Sequence, residues 1–261
     1  MLQSLCSHPY EEDFQRLKDR RLECTGHWIF EHQQFQNWTT TTEGLVLWIY
    51  GIVGAGKSVL TSQIIEMLQD NKHNKQRTVV YLFFSGNGPT RWDLRCIIQC
   101  FMRQLAIIDP KNIPSKLMDA FRRSQETGGR TELFSVCTWE QLLADMLLKQ
   151  SKPFLVIDGL DELNPALQSE LLELIKKLVN KCNQLSVLVS SRESQQIKIG
   201  LKDKPCIDLN TLDRSDDERA VIQARFNSRS SYLLSPISDE DKASFIDQIM
   251  RKSHGQPEEF Y

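Results

Sequence analysis

The sequence predicts an α/β fold, a parallel sheet covered by helices on both faces, with a small helical appendix at its C-terminal end. Three observations lead there. Short apolar runs at Leu45–Tyr50, Val79–Phe84, Phe154–Ile157 and Ser186–Ser190 alternate with helical patterns, as strands buried on both faces require. The first run passes through the glycine-rich turn GIVGAGKS into a helix with Leu60, Ile64, Ile65 and Leu68 on one face. Beyond residue 210 strands give way to helices. In sheets of this kind ligands collect at the carboxyl ends of the strands.

In chain order, Tyr10 to Glu23 is charged and helical in pattern, and Trp28, Ile29, Phe30, Phe35 and Trp38 add an apolar helical stripe. The stripe stops at Thr39 to Thr42, which reads as a linker. Residues 1–42 are therefore expected to form an N-terminal helical segment and linker, 43–210 the α/β core, and 211–261 a truncated helical appendix. After the second strand, Gly86, Gly88 and Pro89 break the chain before a helix from Trp92 to about Ile108. Helices at Ser115 to Arg123 and Thr138 to Lys149 flank an expected loop at Gln125 to Arg130. Asn164 is a good N-cap and Pro165 suits the first helical position, so a helix should run to about Lys181. A short strand, Ile207 to Leu209, precedes the appendix, where Ser215 with Glu218 and Ser238 with Asp241 have capping-box spacing.

The 261 residues suffice for one large α/β domain with a small helical addition. Lysine plus arginine number 32 against 34 acidic residues, which leaves no basic footprint for nucleic acid. The apolar runs fall far short of the roughly 20 residues that span a bilayer. A polar start without an apolar h-region points to the cytoplasm. Seven cysteines, odd in number and without C-x-x-C pairs, read as reduced thiols, and Cys96 and Cys100 on one helix face read as packing groups rather than metal ligands. The five histidines lack zinc spacing.

Gly51 to Ser58 has the spacing of a phosphate-binding loop. Gly51, Gly54 and Gly56 let backbone N–H groups turn inward, and the helix beginning at Lys57 points its positive end at the same place. Gly51, Gly54, Ala55, Gly56, Lys57, Ser58 and Val59 are thus the candidate nucleotide-binding residues. Lys57 would reach the β- and γ-phosphates and the Ser58 hydroxyl would coordinate magnesium. In FLVIDGLDEL, Phe154 to Leu163, an apolar strand ends in Asp158, placed to hold the metal through water. Asp161 or Glu162 would then orient or deprotonate the attacking water. Arg192, just after the fourth strand, would sense a γ-phosphate or pair with a carboxylate; the sequence leaves both open.

TGHWIF (Thr25 to Phe30), FQNW (Phe35 to Trp38), LWIYGIVGAGKSVL, LFFS (Leu82 to Ser85), FLVIDGLDEL and VLVSSR (Val187 to Arg192) together resemble the NACHT-type P-loop domain of STAND-class NTPases. The resemblance is to the nephrocystin 3-like N-terminal domain of fungal Nod-like receptors. It implies a three-layer P-loop NTPase sandwich with a five-stranded sheet in the order 5-1-4-3-2, ATP or GTP with Mg2+ as cofactors, and Thr25 and Trp28 near the base. The guanine-reading Asn-Lys-x-Asp is absent, since NKHN at Asn71 and NKCN at Asn180 lack the aspartate, so ATP is favoured. Relatives continue into a winged-helix segment and a repeat sensor, so the chain is expected to be a truncated receptor or to work with protein partners in trans. The expected function is a signalling switch that binds ATP and hydrolyses it slowly. The alternative is an interaction module that binds nucleotide without turning it over; a P-loop kinase is disfavoured because the acidic cluster suits water activation.

Overall fold

A computed structural model of the chain describes residues 5–6, 8–70, 77–86, 91–126, 134–230 and 239–253. Ahead of the sheet lie α1 (Tyr10–Asp19), the single turn α2 (Trp28–Glu31) and α3 (Gln33–Thr40). The core runs β1 (Val46–Tyr50), α4 (Lys57–Gln69), β2 (Thr78–Phe83), α5 (Leu94–Ile108), α6 (Ser115–Glu126), α7 (Val136–Leu148), β3 (Pro153–Asp158), α8 (Pro165–Lys181), β4 (Ser186–Ser191), α9 (Gln195–Gly200) and β5 (Cys206–Asp208). Helices α10 (Ser215–Ser230) and α11 (Asp239–Ser253) follow.

All five strands are parallel and lie in the order β2-β3-β4-β1-β5, the 5-1-4-3-2 arrangement read from the other edge. Strands β2, β3 and β4 are buried along their whole length, which demands helices on both faces and explains their unbroken apolar runs. Helix α4 packs on β2, β3 and β4, and α1 lies against α4 and β2. There Tyr81 meets the rings of Tyr10 and Phe14. Helices α5, α7 and α8 pack on one another, α5 also on β2 and α8 on β4. Trp38 anchors α3: it is fully buried, its indole N–H donates to the Leu45 and Val187 carbonyls, and its ring meets Phe154 edge-on.

The register explains why distant motifs converge. Strand β4 lies between β1 and β3, pairing Tyr50 with Ser191 on one side and Asp158 with Ser190 on the other. The ends of β1 and β3 are therefore one strand apart at the same edge. Cap chemistry follows the sequence at α8, where Asn164 Oδ1 accepts from Leu167 N at 3.0 Å ahead of Pro165.

Several details differ from expectation. The threonines read as a linker are helical through Thr40, because Thr39 and Thr40 turn their hydroxyls onto the Gln36 carbonyl within the helix. Ser215 begins α10 without a capping box: its own N–H and hydroxyl engage Asp213, and Glu218 faces Arg214 at 3.6 Å. Gln125 and Glu126 extend α6, whereas Gly88, Pro89, residues 127–130 and Ser238 lie outside the described residues. Cys6 and Cys100 are joined by a disulfide, which corrects the reading of all seven cysteines as reduced thiols. The fold delivers Cys6 onto α5 across a sequence separation of 94, which no spacing rule exposes. Among the described residues, no helix is long and apolar enough to cross a membrane.

Candidate functional site

Past Tyr50 the chain makes a tight turn that needs glycine: Gly54 and Gly56 have φ of 76° and 78°, in the left-handed region. Gly56 then leads into α4, whose first turn points at the space enclosed by the turn. The turn is held from behind by two side chains beyond β5. Asn210 Oδ1 accepts from Ile52 N at 2.9 Å, and Arg214 donates to the Ala55 carbonyl at 2.8 Å. Lys57 folds over the turn and donates to the Gly51 and Ile52 carbonyls at 2.8 and 2.7 Å.

Asp158 closes β3 beneath this turn and is 2% exposed. The Ser58 and Thr61 hydroxyls donate to its two carboxylate oxygens at 2.6 and 3.1 Å. Burial raises its pKa, opposed by those hydrogen bonds and by the positive charge of Lys57. A buried carboxylate beside a serine hydroxyl is an oxygen-donor set that fits a hard divalent cation, so Ser58 and Asp158 have the chemistry to hold Mg2+.

The acidic segment next turns back toward β4. Gly159 sits at φ 75°, donates to the Ser190 carbonyl at 2.9 Å, and has the Phe84 carbonyl where a Cβ would be, 2.5 Å away. This turn carries Asp161 and Glu162 to Arg192. The Arg192 backbone N–H and guanidinium both donate to Asp161, and Nη2 reaches Glu162 at 2.7 Å. Glu162 also accepts from Gly86 N at 3.1 Å. The hydrogen bond to Asp161 comes first among the causes that raise the Arg192 pKa. Arg192 thus makes the carboxylate pair that was one of the two roles expected of it.

A cavity of about 280 Å³ lies over these groups, lined by the turn from Val53 to Val59, by Asp158, Asp161 and Glu162, and by Arg192. Gly54, Ala55, Gly56 and Val59 also line a second cavity of about 340 Å³, where Thr25 and Trp28 stand. Gly51 lines neither; it packs under the turn, where a Cβ would meet Leu209 at 3.0 Å. The second cavity is also lined by Asp217 of α10, which accepts from Gly26 N at 2.8 Å and the Trp28 indole at 3.1 Å. Gln63 of α4 donates to the Thr25 carbonyl at 3.2 Å.

Sequence reasoning missed Thr61, Arg20, Asn210, Arg214 and Asp217. Thr61 was within reach, because it stands three residues after Ser58 on the same helix face. Arg20 lines both cavities from the end of α1. Arg214 and Asp217 belong to a charged stretch whose pattern is that of any exposed helix start, and only the fold turns it toward the loop. Burial lowers the Arg214 pKa, opposed by Glu218 and Asp217.

The family model described as "Nephrocystin 3, N-terminal" matches residues 24–192. The vegetative incompatibility protein HET-E-1 of Podospora anserina is 27% identical over 212 residues, which cover 77% of this chain and 15% of that relative. The chain thus spans a small part of that relative's length. Among solved structures, Cdc6p from Pyrobaculum aerophilum superposes with a TM-score of 0.49 at 16% identity, covering 87% of this chain and 53% of that one. Domain III of the replication initiation protein DnaA from Thermotoga maritima superposes with a TM-score of 0.44 at 14% identity, covering 95% and 87%.

Proposed function

Since the chain belongs to the nephrocystin 3 N-terminal family, we propose that it is a nucleoside-triphosphate-binding signalling switch of the NACHT/STAND type, which binds ATP with Mg2+ and hydrolyses it slowly. The observation that supports this most is the convergence of the Gly54–Gly56 turn, Lys57, Ser58 and Asp158 on one cavity. The polyphosphate lies over the turn, and Lys57 exchanges two backbone carbonyls for the β- and γ-phosphates. Ser58 and Asp158 hold the metal, which neutralises phosphate charge. The base occupies the neighbouring cavity beside Thr25 and Trp28, and ATP is preferred to GTP.

The pairing of Arg192 supports slow hydrolysis. Asp161 and Glu162, the candidates for orienting water, are both held by its guanidinium, so water activation requires that pairing to loosen. The same observation favours the second reading, a module that binds nucleotide without turning it over. Nucleotide exchange would shift the appendix relative to the sheet through Arg214 and Asp217, with protein partners or self-association, in the cytoplasm, reading the change. Nucleic acid and a membrane span have no part in this reading.

Displacement of a fluorescent ATP analogue tests the proposal. Unlabelled ATP is expected to displace it at lower concentration than GTP, and a magnesium chelator is expected to weaken binding. Failure of ATP to displace the analogue would refute the assignment.

A further inference from the structure

Three sulfurs meet where Cys6 lies against α5. Cys6 is bonded to Cys100, and the Sγ atoms of Cys6, Cys96 and Cys100 all lie within 4.8 Å of one another. Cys6 and Cys100 are buried, at 4% and 0% exposure, whereas Cys96, one turn earlier on α5, is half-buried. The bond ties down the segment leading into α1. Arg103 of α5 adds a 2.7 Å hydrogen bond to the Cys6 carbonyl and lies over the Tyr10 ring. The far end of α1 reaches the nucleotide cavity: Leu17 and Arg20 line it, while Lys18 and the following Arg21 each pair with Glu66 of α4 at 2.6 Å. One covalent bond thus anchors the segment before the helix whose far end lines the cavity over the phosphate loop.

We propose that Cys6, Cys96 and Cys100 form a thiol–disulfide exchange site for a dithiol reductant, and that its redox state sets how firmly α1 closes over bound nucleotide. The coupling to nucleotide rests on the function proposed above. In the first step the Cys96 thiolate attacks Cys6 Sγ. The Cys6–Cys96 bond forms as Cys6–Cys100 breaks, and Cys100 leaves as a thiolate that takes up the proton Cys96 gave. The disulfide now includes the most accessible of the three sulfurs. A thiolate of the reductant attacks Cys96 Sγ and releases Cys6, which is protonated. The reductant's second thiolate then attacks the mixed disulfide, freeing Cys96 and leaving the reductant as its own disulfide. Two electrons pass from reductant to protein. Disulfides in reducing compartments are mostly of this transient kind. Burial of Cys96, with Asp93 nearby, favours its protonated form, so Cys6–Cys100 persists as the resting bond.

The test uses the full chain in its oxidised form, as wild type and as Cys96→Ser. Each is treated with excess dithiothreitol, quenched by alkylation at intervals and mapped by mass spectrometry. The Cys6–Cys100 link is expected to disappear about tenfold faster in the wild type, since the relay offers a more accessible sulfur; equal rates overturn the relay. Tryptic cleavage at Lys18, Arg20 and Arg21 is expected to speed up on reduction of the wild type, and unchanged cleavage overturns the tether. The fluorescent ATP analogue is expected to bind the reduced wild type about fivefold more weakly, at the low end of ordinary coupling between sites. Equal affinities overturn the coupling. Binding by neither form refutes the nucleotide reading and the coupling with it, while the exchange rates stand on their own.

Discussion

The Ser58 hydroxyl donates to Asp158 Oδ2 at 2.6 Å, joining the start of α4 to the end of β3 across 100 positions of sequence. The strand order makes this possible, since α4 leaves β1 and must cross β4 to reach β3. Ser58→Ala removes an oxygen that steadies Asp158 and is placed to hold the metal. Affinity for ATP with Mg2+, measured by titration calorimetry, is expected to fall by about 10- to 100-fold. With a chelator present the variant and wild type should agree within about threefold; an equal loss with and without Mg2+ would contradict the metal role.

Asp158→Asn separates stability from binding. Burial raises the Asp158 pKa above its ordinary 3.8, so between those two values the folded chain retains a proton that the unfolded chain has lost. The wild type therefore loses stability as pH rises through that window, and asparagine abolishes the loss. Melting temperatures without nucleotide should show Asp158→Asn gaining on the wild type as pH rises above about 4, while Mg2+-dependent binding disappears. A gap that stays constant with pH, or favours the wild type more at neutral pH, would contradict the burial argument.

Gly159→Ala should be among the most damaging small substitutions outside the core. It combines a φ of 75° with a Cβ 2.5 Å from the Phe84 carbonyl, and is expected to cost about 3 kcal/mol or more in urea unfolding. Gly56→Ala has a similar φ but no atom within 4 Å of the added Cβ, so about 1–2 kcal/mol is expected. Equal costs would mean that the close approach to Phe84 is relieved by movement of the acidic turn.

The parts legible in the sequence are those whose physics is local. Leu82, Val156 and Leu188 sit in runs that only a two-sided parallel strand explains, and the glycine spacing around Lys57 needs no partner to be recognised. The partnership of Arg192 with Asp161 and Glu162 was only half legible: the position at the sheet edge could be read, but not which anion it meets. Arg214, Asp217 and the Cys6–Cys100 bond escaped because each depends on a contact between distant segments. Thr39 and Thr40 misled because their hydroxyls satisfy a helix carbonyl that propensity alone does not anticipate.

Glu162→Gln distinguishes the switch from the non-hydrolysing module. Phosphate release at saturating ATP is expected to fall by about 100-fold or more, with ATP affinity unchanged within about threefold. Turnover identical in wild type and variant would remove Glu162 from the chemistry.

The central claim is that Lys57 and the turn before it receive a polyphosphate. Its most direct test is titration of ATP with Mg2+ into the wild type and Lys57→Ala, with thermal unfolding of both to establish that each is folded. The account predicts saturable binding by the wild type and a loss of about 100-fold or more in the variant, as removal of a direct charge–phosphate contact entails. Equal affinity in two folded proteins would contradict it.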